Sequence, residues 1–535
     1  MGGTNDAVLS EQRPAIHKLP SDLLFLIFRR LCAIYPVGKD IDHKLGWIVA
    51  AHVCSHWRRV AINECAPLWA QSICALPKAI PTVLERACDA RLTLELTEPE
   101  YASENPTILE TDALRKAIVD VAGQRSQQIH RITFAFPNFK AQKQSLGSYG
   151  GPWVTPEPGS AIDIENVRTS VRGEQASRLS GTILDALMGK ALPSLRHLEI
   201  VYEMYTCLVN SMELSDYTAF SAPSLVTLRL FRQRIPADTL YNILRSTPLL
   251  ETLDVQWNQE DGPPMLASLS RDLETLSLPH LVNVSLGSTE VPFLDLCSLW
   301  KLIRPHPDVS LRFLGTLFTL EGLSELLTEL ATQLQRESGD TLTVRARTAP
   351  TSGVSLSSSS TPCSGLRHCV GIWTACRVTP MFTTIMIEHL FAVADHTRIR
   401  ILDFDLAGSI AEETVVQLAR LTDLKELRVN FGIGGPLLSL NYLSLRAPPL
   451  FPALETLVLK SINSDEFTAW RRGGFYAANS ILERRKEAGV PVSKLVLRGA
   501  RSAMEPSLDG DYESEMLREL SEHVYEVVDE RCDHT

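Results

Sequence analysis

No apolar run in the chain approaches the roughly 20 residues that a bilayer-spanning helix needs, so a soluble protein with no membrane partner is expected. An excess of basic charge is also missing. The formal net charge is −11 and the pI about 5.7, which leaves no global field to draw the chain onto nucleic acid. The 11 cysteines lack paired spacing, and the N-terminal MGGTNDAVLSEQRP lacks an apolar secretory core. A disulfide framework is therefore not expected, and a reducing cytoplasmic or nuclear setting is. Gly-rich phosphate loops, H-E-x-x-H, G-x-S-x-G and dinucleotide fingerprints are all absent, so no catalytic residue and no cofactor is assigned and a non-enzymatic role is expected.

What is present is a chain with ample core-forming capacity. Apolar residues make up 44% and charged residues 21% of 535 positions, too long for one ordinary core and apt for several units or an extended array. At Leu19-Pro20-Ser21-Asp22 the proline fixes φ and the polar pair can take up free amides, so a helix is predicted to follow. Leu23, Leu24, Ile27, Phe28 and Leu31 recur at helical spacing. Pro36, Gly38 and Gly46 then mark a loop, and a second helix is predicted from Trp47 to about residue 64, ahead of Pro67-Leu68-Trp69.

The series Leu19-Pro20, Leu23-Leu24, Ile27-Phe28 and Leu31, then Val53-Cys54-x-x-Trp57-Arg58 and Pro67-Leu68-Trp69, resembles the F-box, over about residues 16–72. The likeness is to F-box proteins of mushroom-forming fungi, with a longer loop between the first two helices than the family's most compact members have. The resemblance implies a non-catalytic subunit of a cullin-based (SCF-type) ubiquitin ligase. Leu19, Pro20, Leu24, Ile27, Leu31 and Trp57 would then bind a Skp-type adaptor, and through it a cullin.

From about residue 90 to 504 the unit L-x-x-L-x-L recurs. Its copies begin at Leu195, Leu225, Leu250, Leu273, Ile399, Leu424 and Leu454, with weaker ones at Ile129 and Val492. Alternation at the end of each copy predicts a short strand with two aliphatic residues inward and polar ones outward. Helical stretches such as TLYNILRST and ETVVQLARL lie between, so strand and helix alternate. The fold class expected is α/β: a short all-α N-terminal segment, then an irregular array resembling a leucine-rich-repeat solenoid, with a largely parallel sheet. Of the bend residues that such repeats carry, only Asn258 fits, so the array is expected to be uneven.

Two Gly-, Pro- and Ser-rich stretches, near 140–160 and 348–365, are predicted as loop insertions, the second without fold energy of its own. Residues 505–535 are acidic, and Leu517, Leu520, Val524 and Val527 predict a terminal amphipathic helix. His52, Cys54 and His56, and separately Cys363, His368, Cys369 and Cys376, invite a metal reading, but neither spacing matches a common zinc site and no metal is assigned. The outward repeat positions His197, Glu199, Arg229, Asp254, Glu426 and Arg428, joined by Thr227, Thr252 and Lys460, form the candidate target-binding face. Their mixed charge favours a protein partner over a polyanion. A repeat scaffold without a ubiquitin-ligase role is the alternative.

Overall fold

The computed structural model describes residues 19–533 apart from 39–44, 77–78, 98–111, 137–182, 203–218, 232–234, 258–272, 289–292, 307–308, 316–319, 336–339, 347–351, 358–368, 375–379, 407–410, 431–448, 463–474 and 502–509. The predicted 140–160 insertion and Asn258 lie outside the described residues. Architecture is mixed α/β with largely parallel strands, and the chain divides into two compact units, Met1–Leu250 and Glu251–Thr535.

In the first unit, α1 (Ser21–Ile34) starts at Pro20, whose carbonyl accepts the Leu24 amide at 3.1 Å. After Tyr35 the chain loops away and returns at Gly46, where φ is +49° and an added Cβ would lie 2.5 Å from the Tyr35 carbonyl oxygen. Only glycine fits there. The neighbouring Trp47 amide donates to that same oxygen at 2.9 Å, which closes the loop.

A single second helix over 47–64 was predicted, and the structure corrects it: a 3-10 segment, Gly46–His52, is followed by α2 (Ser55–Asn63). Between them Cys54 is extended and caps α2, its sulfur accepting the Trp57 amide at 3.5 Å. The break lets both indoles reach one aromatic side chain. Phe28 meets Trp47 at 6.0 Å and Trp57 at 5.5 Å, both edge-to-face. Trp69, from α3 (Ala66–Gln71), joins Trp47 at 5.1 Å and donates its indole N–H to the Ala61 carbonyl at 2.7 Å.

Next come α4 (Ile80–Ala87) and four parallel strands in sequence order: β1 (Leu92–Thr97), β2 (Ile129–Phe136), β3 (His197–Tyr202) and β4 (Thr227–Phe231). Between β1 and β2 runs α5 (Asp112–Gln124), and after β4 runs α6 (Ala237–Arg245). Leu198, Ile200, Leu228 and Leu230 point inward and are fully buried, as are Leu240, Ile243 and Leu244 of α6. Such crossover helices are what parallel neighbours require.

The second unit holds β5 (Thr252–Trp257), β6 (Leu276–Leu278), β7 (Asn283–Ser288), α7 (Phe293–Lys301), β8 (Ile303–Pro305), β9 (Ser310–Gly315), α8 (Leu320–Glu329) and α9 (Ala331–Leu334). Then follow β10 (Thr341–Ala346), β11 (Ser352–Ser357), β12 (Cys369–Thr374), α10 (Pro380–Val393), β13 (Ile401–Leu406), α11 (Glu412–Leu418) and β14 (Glu426–Asn430). Last are β15 (Thr456–Ile462), α12 (Phe475–Glu487), β16 (Lys494–Arg501), α13 (Gly510–Ser521), β17 (Glu526–Asp529) and β18 (Cys532–Asp533). The order across its sheet is β5-β7-β9-β12-β11-β10-β13-β14-β15-β16-β17. All pairs are parallel except β10–β11 and β11–β12, and β18 extends the pairing on β16.

Three expectations change here. The serine-rich insertion near 348–365 contains β11, which alternates Val354 and Leu356, both buried, with Gly and Ser on the other face. A strand needs only one apolar face, so two aliphatic residues in register with Val344 and Leu342 suffice. The copy at Leu273 yields β6, which leaves the main sheet and pairs with β8, while its place beside β5 is taken by β7. The predicted terminal helix ends at Ser521, and Val527 lies in β17, parallel to β16, because the strand edge of β16 offers backbone partners that a longer helix would leave open.

One backbone device recurs through both units. The carbonyl just before a strand accepts two successive amides from the next copy: Arg196 from Val226 and Thr227, Arg400 from Lys425 and Glu426, Lys425 from Glu455 and Thr456, Glu455 from Ser493 and Lys494. This stacks the two residues ahead of each strand into regular rows along the strand starts.

Candidate functional site

In the helical segment the six sequence-predicted anchors separate. Leu24 is fully buried and Trp57 is 6% exposed, so both belong to the aromatic core and neither can touch a partner directly. That corrects two of the six: a helix apolar on several sides has an inner face, and spacing alone cannot say which stripe it is. Leu19, Ile27 and Leu31 are half-buried and Pro20 is exposed. Leu19 is held in place through its carbonyl, which accepts the His56 Nε2–H at 3.0 Å, while Ser21 Oγ donates to Glu64 at 3.0 Å.

The exposed apolar side chains are ones that sequence reasoning assigned to the helix stripe or passed over. Leu23 is 48% and Leu26 52% exposed, at the three-residue spacing of one α1 face, with half-buried Ile27 beside them. Ile34 and Tyr35 at the helix end and Val49 and Val53 around the adjoining 3-10 segment are also exposed. Bulky apolar residues on both sides of α1, from Leu23 through Phe28, were the available signal. Burial pushes the Cys65 thiol up to about 12, with the Glu64 charge adding to it, and burial does the same for Cys74.

The outward sheet positions fall into two groups on different units. On the first unit, β3 and β4 bring His197, Glu199 and Arg229 together: Arg229 meets Glu199 at 3.3 Å, and His197 Nδ1 shares a 3.3 Å hydrogen bond with Thr227 Oγ1. Arg131 lies opposite His197 in the β2–β3 register and donates to Thr133 at 3.1 Å. The His130 ring meets that of His197 edge-on at 6.2 Å. Burial, then Arg131, His130 and Arg196, hold the His197 imidazole below its ordinary range, with Glu199 opposing.

On the second unit, Glu426 pairs with Arg428 on β14, and Lys460 reaches from β15 to Asp403 on β13. The ladder continues along the strand starts and the outward face. Arg400 pairs with Asp423, Lys425 with Glu455, Lys494 with Glu526 and Arg498 with Glu530. Asp254, on β5 opposite Ser285, belongs to neither cluster.

No group of three or more His, Cys, Asp or Glu side chains among the described residues is arranged to hold a metal. His56 is engaged with Leu19 and Arg59, and Cys363, His368 and Cys376 lie outside the described residues. A small cavity between β11, β12, α8 and α10, lined by Leu327, Val354, Ile372 and Leu390, is wholly apolar and has room for about one water, too little for an organic ligand. No helix among the described residues is long and apolar enough to cross a membrane. No family model matches the chain, and no curated protein is recognisably similar to it.

Proposed function

We propose that the chain is a non-catalytic substrate-recognition subunit of an SCF-type ubiquitin ligase. An F-box-like helical segment would dock on a Skp-type adaptor, and a leucine-rich-repeat-like body would hold a target protein on its outward strand face. The role of binding is proximity: a target fixed beside the loaded ubiquitin carrier presents its lysines at high effective concentration.

The observation that carries this reading is the exposed apolar face of α1, Leu23 and Leu26, mounted on a rigid core of Phe28, Trp47, Trp57 and Trp69. A contiguous apolar face left in water on an otherwise well-packed helix marks a protein contact. It accords with the Leu-Pro, Val-Cys-x-x-Trp-Arg and Pro-Leu-Trp elements of the sequence.

The test is capture of a purified Skp-type adaptor by the full chain and by a Leu23→Ala/Leu26→Ala variant. Because both side chains are exposed, truncation should leave folding stability within about 0.5 kcal/mol while weakening the complex roughly thirtyfold, as loss of an interface hot spot does. A Leu19→Ala/Pro20→Ala variant should weaken it as well. Unchanged capture by both variants overturns the adaptor assignment.

A further inference from the structure

The residues just ahead of and at the start of β2 and β3 form a compact block of four basic groups. His130 and Arg131 come from one copy, Arg196 and His197 from the next. The backbone fixes them as neighbours: the Arg196 amide donates to the His130 carbonyl at 2.9 Å, and Arg131 stands in register with His197. Neighbouring strands lie about 4.8 Å apart, the rings of His130 and His197 meet at 6.2 Å, and Arg131 and Arg196 are exposed beside them. None of the four meets a carboxylate within ion-pair distance among the described residues, and Glu199, two residues along β3 from His197, is engaged by Arg229.

In a chain of net charge −11, two arginines and two histidines gathered with no carboxylate within ion-pair distance among the described residues form a local attractor for anions. We propose that this block in the first unit is the docking site for a carboxylate-rich segment of the target protein, an extended run of Asp and Glu laid across the starts of β2 and β3. The inference deepens the target-binding half of the function above and does not depend on adaptor capture. A nucleic-acid backbone fits worse, because its phosphates continue without a break past the two arginines and two histidines onto Glu95 and Glu199, whereas a run of carboxylates can be as short as the block.

Binding is coupled to protonation. The groups facing His197 are Arg131 and His130 from β2, Arg196 and Glu199 beside it on its own strand, and Thr227 and Arg229 from β4, with Glu95 two strands away on β1. Free, the imidazole sits among more cations than anions, which disfavours its charged form. An incoming carboxylate reverses that balance, so the histidine takes up a proton as the segment binds and affinity rises as pH falls.

The full chain should be titrated with a fluorescein-labelled Glu/Asp peptide of about ten residues, its Gln/Asn counterpart, and a single-stranded oligouridine of equal charge, at about pH 6 and about pH 8. The acidic peptide should bind several-fold more tightly at the lower pH, and its neutral counterpart should not bind. Arg131→Gln/Arg196→Gln should weaken it about tenfold or more, His197→Gln should flatten the pH dependence, and Arg518→Gln on α13 of the second unit, a cation outside the strand face, should change nothing. Peptide affinity unaffected by the double variant, or oligouridine binding tighter than peptide, overturns the inference. If peptide binding fails while the adaptor is still captured, only this inference falls and the adaptor half of the function stands.

Discussion

The two units use the same backbone device along their strand starts but settle its charge differently. In the second, the stacked positions alternate in sign or reach an acid close by, so Arg400, Lys425, Lys460, Lys494 and Arg498 each have a carboxylate partner. In the first, two consecutive copies place base beside base, and His130, Arg131, Arg196 and His197 have none among the described residues. Stacking copies brings like positions together, so the sign at one position decides whether a row becomes internal cement or an unsatisfied field. The second unit's charges serve its own cohesion, as Arg229 and Glu199 do in the first, while the block of four basic residues has no carboxylate partner among the described residues.

The largest test of that contrast removes a buried cation held by backbone carbonyls. Arg485 of α12 is 4% exposed and donates to the carbonyls of Leu450 and Phe451 at 2.6 and 3.0 Å; burial pulls its guanidinium down to about 10, still charged at neutral pH. Arg485→Met should cost about 3 kcal/mol, seen as a lower urea midpoint, since the carbonyls lose charged donors. Next, Leu356→Ala in β11 should cost about 2–3 kcal/mol by the same measurement; an unchanged midpoint would return that stretch to a loop.

A smaller effect separates the units directly. Lys460→Met breaks a half-buried pair with Asp403 and should cost about 1 kcal/mol, whereas Arg131→Gln should leave stability unchanged or slightly raised, because it relieves repulsion. Equal losses would erase the contrast. Smallest is the acid response. With the folded His197 lowered, the unfolded chain takes up protons first, so stability is fully present above about pH 6.5 and declines as pH falls from there toward the folded value. His197→Gln should remove that share of the decline in thermal melts across pH. His396 is lowered too, by burial and then Arg420 against Asp395, so His396→Gln measures the second unit's part.

Much of the strand layout was legible because each strand announces itself by two inward aliphatics at period two: Leu198 and Ile200, Leu427 and Val429, Leu457 and Leu459. What escaped is where that signature is diluted or duplicated. β7 carries it as Leu281, Val284 and Leu286, one β-branched substitution away from the motif, just after the copy at Leu273. β1 carries Leu92, Leu94 and Leu96 but has Asp89 where each copy opens on an aliphatic residue. The candidate site was legible in residue type but not in side. Leu24 and Leu23 are consecutive leucines on one helix, and only packing against Phe28 and the tryptophans decides that the first is core and the second surface. Likewise His197 and Arg229 could be placed outward, but their missing neighbours His130 and Arg131 emerged only when the register set the first copy beside the second.

The antiparallel excursion of β10, β11 and β12 has a consequence for synthesis. β9 ends at Gly315, yet its partner on the far side is β12, which ends at Thr374. At about 5–20 residues per second, the ribosome needs roughly 3–12 seconds to deliver the missing strand, and during that time the outer backbone of β9 has no partner to pair with. A nascent chain stalled just before β12 leaves open edges on β9, β10 and β11, whereas one stalled just beyond it leaves open that of β10 alone of the three, so the first should bind chaperones more and aggregate more when they are depleted.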